Sequence, residues 1–169
     1  METNLQEKKL VSNQLGISGL GGWLILVQIG LYLTIALTLV QLFLYLIPSY
    51  NPETWNVLTS RDSDLYHFLW GPVIIFETVY SILLLVFLGY ILYNFYGRKW
   101  ILPRLMIIFY AGSLFFGIID YILLQQIPMA KDLNEESSSI RELVKSAITC
   151  LIWIPYFLRS VRVKNTFVR

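Results

Sequence analysis

Charge is what this chain has least of. Only 14% of its 169 residues are Asp, Glu, Lys or Arg, against roughly a quarter in ordinary soluble domains, while 56% are hydrophobic. Few water-soluble domains could cover their surface from such a composition. Cysteine and histidine are nearly missing too. The single Cys150 rules out an intramolecular disulfide and any multi-cysteine metal site, which leaves packing as its role. The single His67 would need carboxylates alone beside it to hold a metal. No Ser/His/Asp or His-Glu-x-x-His constellation is present, and one cysteine with one remote histidine makes a poor nucleophile pair. We expect no enzyme, no metal and no cofactor. A formal net charge of +2 is too small to point to nucleic acid as a partner. No internal repeat is visible, which weakens the case for an inverted-repeat transporter.

What is abundant is apolar residues in blocks. Trp23 to Ile47 is 25 consecutive residues without a charge, and a membrane span needs about 20. A secretory signal would run from a basic region straight into a shorter apolar stretch with a small-residue cleavage site. Here Lys8 and Lys9 are followed by a polar, glycine-rich stretch, so the first run reads as a retained helix. Three more runs follow: Trp70 to Tyr96 interrupted by Glu77, Leu105 to Ala130 interrupted by Asp120, and Leu143 to Leu158 interrupted by Lys145. Lipid offers no partner to an open backbone group, so each run should be helical. The fold class is all-α integral membrane, with four transmembrane helices over about 22–47, 65–97, 104–128 and 140–160, a polar N-terminal tail 1–15, a membrane domain 16–169 and a basic C-terminal tail 159–169. An even number of crossings puts both termini on one side. That side holds nine cations (Lys8, Lys9, Arg98, Lys99, Arg104, Arg159, Arg162, Lys164 and Arg169) against four opposite (Arg61, Lys131, Arg141 and Lys145). The positive-inside rule then puts both termini in the cytoplasm.

Local signals agree. In "YNPETW", Asn51 before Pro52 and Glu53 predicts the cap and first turn of a short helix, whose Trp55 and Leu58 would share a face suited to the bilayer surface. "SSSIRE" offers a capping box from Ser139 and Glu142 for the fourth helix. Pro155 inside that helix should free the carbonyl of Leu151 and kink it. The glycines of "GISGLGG", Gly16, Gly19, Gly21 and Gly22, lack the strand and the Gly-Lys-Ser/Thr of phosphate-binding loops; they let the chain turn before Trp23 anchors the helix. Aromatic residues mark both interfaces: Trp23, Tyr93, Tyr96 and Trp100 at one, Tyr45, Tyr50, Tyr66 and Trp70 at the other. The tail cations Arg159, Arg162, Lys164 and Arg169 should lie on anionic headgroups.

"GLGGWL" at the first helix, "LWGP" followed by "FE", "LPR" before the third helix, an aspartate late in that helix, and the closing "WIPYFLRSVRVKNTF" together resemble one bacterial membrane family, domain of unknown function 2569. The resemblance covers Gly16 to Arg169. It implies a small inner-membrane protein of four helices and brings no activity, substrate or catalytic residue.

The ionisable residues inside the runs carry what functional signal there is. At about 1.5 Å per residue, Glu77 stands roughly 28 Å above Tyr96, Asp120 about 24 Å above Arg104, Lys145 about 20 Å above Leu158 and Gln41 about 27 Å above Trp23. All four reach the outer third of a core of about 30 Å. Two acids and a base at one depth could form a structural cluster that ties the helix ends together. They could instead line a pathway for protons, cations or a small solute, or snorkel outward without contact. The first reading fits a non-enzymatic interaction or accessory protein in the bilayer, homo-oligomeric or bound to a larger membrane complex; the second fits a small transporter or channel.

Overall fold

The computed structural model describes residues 19–128 and 136–168 and is helical throughout, with no strand among the described residues. Three helices are long and apolar enough to cross a membrane: α1 Trp23–Ser49, α3 Trp70–Tyr96 and α4 Leu102–Leu124. Between the first two lies the short α2 Pro52–Thr59, and the chain ends in α5 Glu136–Arg159 and α6 Val161–Thr166.

Each boundary has a local cause. Gly22 opens α1 at φ 63°, ψ −135°, a backbone open to glycine and strained for anything else. The helix widens into a π-turn over Leu42–Leu46 just before Pro48. Proline has no N–H for the carbonyl of Leu44, and a wider turn accommodates that gap. Asn51 caps α2 by accepting from the Glu53 N–H at 3.3 Å, with Pro52 in the first turn. α5 begins at Glu136, so Ser139 stands inside its first turn rather than at a cap; the Ser139 side chain lies outside the described residues, as do Gly16, Lys8, Lys9, Lys131 and Arg169. α5 continues unbroken through Pro155 to Arg159.

Successive long helices run antiparallel. Tyr96 of α3 meets Gln28 and Tyr32 near the start of α1, whereas Tyr50, just past the end of α1, donates to Thr78 near the start of α3 at 3.0 Å. Phe116 of α4 packs on Phe76 and Tyr80 of α3. α5 lies along α4 with Cys150 Sγ against the Tyr110 carbonyl at 3.2 Å and Leu143 against Gly117. The thiol is thus a packing group. Trp153 closes the circuit by its edge contact with Trp23, ring centres 6.2 Å apart.

The main core gathers at one end. It joins the start of α1 (Leu24, Val27, Leu31), the end of α3 (Leu88, Ile91, Phe95), the start of α4 (Leu102, Leu105, Met106, Phe109) and Phe157 of α5. Val163 and Phe167 join it as well, so residues 160–167 do not trail away as a tail. Ser160 accepts from the Val163 N–H at 3.4 Å and starts α6, which folds back under the bundle. Among the described residues the opposite end has a smaller cluster around Val73 and Ile127. α2 sits over that end with its Trp55 stacked on Tyr50 at 5.5 Å and set against Gly71. The Trp55 face expected on the bilayer is therefore turned onto the protein, with the indole lying beside Gly71.

Candidate functional site

Polar chemistry collects at the loosely packed end. Glu77 of α3 has the Asp120 carboxyl of α4 and the Gln41 amide of α1 beside it. Asp120 in turn looks across to Glu142 of α5. Between α4 and α5 opens a cavity of about 340 Å³, its walls formed by Ser113, Gly117, Asp120, Glu142, Leu143 and Ser146 among others. Gly117 stands in the wall opposite Leu143, where a Cβ would lie in ordinary contact at 3.5 Å from the Leu143 side chain. Asp120 is the hinge of the arrangement: one side chain touches both the three-helix contact and the cavity wall. Its Oδ1 is buried without a hydrogen-bond partner.

Of the four residues placed at one depth by counting, three come together and Lys145 does not. Lys145 is exposed, and among the described residues no ion pair joins it to either acid. Of the arrangements left open for Lys145, the structure shows it turned outward and apart from Glu77 and Asp120. The reason is angular. Glu142 and Ser146 are four apart and share the face toward α4, whereas Lys145 is turned about 100° from Ser146. The fourth helix brings an acid to the cleft where a base was expected. Glu142 was hidden from sequence reasoning by its expected part in a cap; its i, i+4 spacing to Ser146 was the available signal. Among the described residues no group of three His, Cys, Asp or Glu is placed to hold a metal ion. His67 packs on Phe68 at 4.7 Å, its Nδ1 accepting from the Leu69 N–H.

The tail cations have different fates. Arg159 and Lys164 are exposed. Arg162 is turned inward over the glycines, so close that a Cβ on Gly22 would lie 2.6 Å from its Nη1. Thr166 accepts from the Gly19 N–H at 2.9 Å and donates to the Gly19 carbonyl at 3.3 Å. The two sequence stretches at opposite ends of the chain, "GLGGWL" and "WIPYFLRSVRVKNTF", therefore form one structural lock.

The model of a family described as a protein of unknown function (DUF2569) matches residues 17–168. The chain belongs to the DUF2569 family. The matched range runs from the glycines of the lock to the end of the buried α6 segment. The chain is 28% identical over 149 residues to the "Inner membrane protein YdgK" of Escherichia coli (strain K12), covering 88% of this chain and 93% of that protein. No solved structure matches. The apolar helices and the family assignment together make this a membrane protein of the DUF2569 family.

Proposed function

We propose that this DUF2569 protein crosses the bacterial inner membrane four times with both termini in the cytoplasm, and acts there as a non-enzymatic accessory protein that binds other membrane components. Its similarity to a protein named for the inner membrane supports the location. α5 supports the fourth crossing: its 24 residues span about 36 Å at about 1.5 Å each, against a core of about 30 Å. Its first turns are polar, which lowers its hydropathy, yet Glu142 and Ser146 face the cleft. Charge supports the orientation. Among the described residues the closed end holds Arg98, Lys99, Arg104, Arg159, Arg162 and Lys164 and no acid.

One observation carries the accessory reading. The polar cavity stops at Ser113; the space beyond it, about 220 Å³, is lined by apolar side chains such as Leu84, Phe87 and Phe109, and the core below is formed by Met106, Leu88, Ile91 and Phe95. A translocation route would need polar groups or water there. The test is flux: the full chain in proteoliposomes should move no protons, alkali cations or small amines above the protein-free background. Saturable flux that disappears in Glu77→Gln would replace this reading. Purification in mild detergent at native expression should then recover a stoichiometric membrane partner or a homo-oligomer.

A second reading, solute or cation binding for transport, draws on the unpartnered Oδ1 of Asp120 beside the open cavity. Intramembrane carboxylates without a cation are costly and mark ion or substrate pathways elsewhere. The same flux experiment separates the two.

A further inference from the structure

The closed end carries a second cavity, of about 500 Å³, between the start of α4 and the fold-back segment. Its floor is apolar, made by Ile107, Phe157 and Val163, and its rim bears Arg104 and Lys164. Phe157 and Val163 are themselves buried, so this floor is part of the core and not a mobile flap. Arg104 is held in place: its guanidinium carbon sits 5.1 Å above the ring of Trp100, one turn earlier. Trp100 is exposed, as an aromatic at a headgroup boundary is. Among the described residues no acid stands at this end to neutralise the two cations.

We infer that this groove binds one anionic phospholipid, the phosphate between Arg104 and Lys164 and an acyl chain along Ile107 and Phe157. Charge complementarity selects the occupant. An apolar floor excludes a wholly polar ligand, and two cations that the topology proposed above sets at headgroup height favour a lipid with net negative charge. The site differs from a basic tail lying on a membrane: Arg162 faces the glycines and takes no part, while Arg104, from the other side of the groove, is essential. A bound lipid would bridge the start of α4 to α6 and so hold the lock shut.

The test is native mass spectrometry of the full chain in nonionic detergent containing equal phosphatidylglycerol and phosphatidylcholine. One phosphatidylglycerol adduct should predominate. Arg104→Gln with Lys164→Gln should reduce it roughly thirtyfold, about fivefold per cation lost. Arg61→Gln with Arg141→Gln, the same charge change at the other end, should leave it unaltered. Millimolar inorganic phosphate should not displace the lipid. Equal adducts of the two lipids, equal losses in the two double variants, or full displacement by phosphate alone would each overturn the proposal.

Discussion

The two ends of this bundle are built on opposite rules. At one, every long helix contributes buried apolar side chains, the terminal helix folds under them, and the described charges are all positive. At the other, helices from four parts of the chain contribute Gln41, Glu77, Asp120 and Glu142, the last two in the wall of a cavity, and among the described residues the apolar cluster there is small. Stability and polar chemistry are thus separated along the helix axes. An end where the long helices share one apolar core can fix them in place, and the other is then free to carry groups that a bilayer disfavours.

If that division holds, substitutions at the closed end should cost far more than those at the open end in thermal unfolding followed by tryptophan fluorescence in detergent. The largest effect is expected for Phe95→Ala. Phe95 is fully buried, between the core and Phe167 at 5.8 Å. Its truncation should cost about 3 kcal/mol or more, by lost dispersion contacts and the cavity left behind. Phe115→Ala, on the exposed flank of α4, should stay within about 0.5 kcal/mol. Next comes Gly22→Ala, expected to cost about 1–3 kcal/mol through its positive φ. Adding Arg162→Ala should relieve the clash with Nη1 but not the backbone strain. Thr166→Val removes both hydrogen bonds to Gly19 while keeping the shape, and should cost about 1–2 kcal/mol.

The open end should give the smallest changes. Asp120→Asn removes a carboxylate set beside Glu77 and Glu142 whose Oδ1 has no partner. It should be neutral or stabilise by up to about 1 kcal/mol, since a buried charge without its counterion gives little back. Lys145→Met, at an exposed position, should change stability by less than about 0.5 kcal/mol. A loss of several kcal/mol in either variant would mean that the open end, too, is a structural clamp.

Sequence reading reached the long elements and stopped at the angular and tertiary details. Apolar runs broken by Glu77 and Asp120 gave away α3 and α4, because a bilayer imposes length on helices. Counting residues gave the common depth of Gln41, Glu77 and Asp120. It could not exclude Lys145, since rise along a helix says nothing of rotation around it unless the neighbouring helix is known. The π-turn before Pro48 depends on how one backbone gap is absorbed, which composition does not encode. The fold-back of α6 was more accessible: Ser160 as cap, then Val163 and Phe167 four apart, form a short amphipathic pattern beneath the more conspicuous run of cations. Arg104 counted only as a topological charge until α6 was brought across to face it.

Orientation of the two ends is the claim from which the rest follows, and thiol accessibility tests it most directly. In a Cys150→Ala background, single cysteines at Ser60, Ser146 and Val168 would be exposed to a charged, membrane-impermeant thiosulfonate in spheroplasts and in inverted inner-membrane vesicles. The account predicts that Ser60→Cys, beyond α2, and Ser146→Cys, in the cavity wall, react in spheroplasts, and that Val168→Cys, beyond the lock, reacts only in inverted vesicles. Reaction of Val168→Cys in spheroplasts, or of Ser146→Cys from the same side as Val168→Cys, would contradict it.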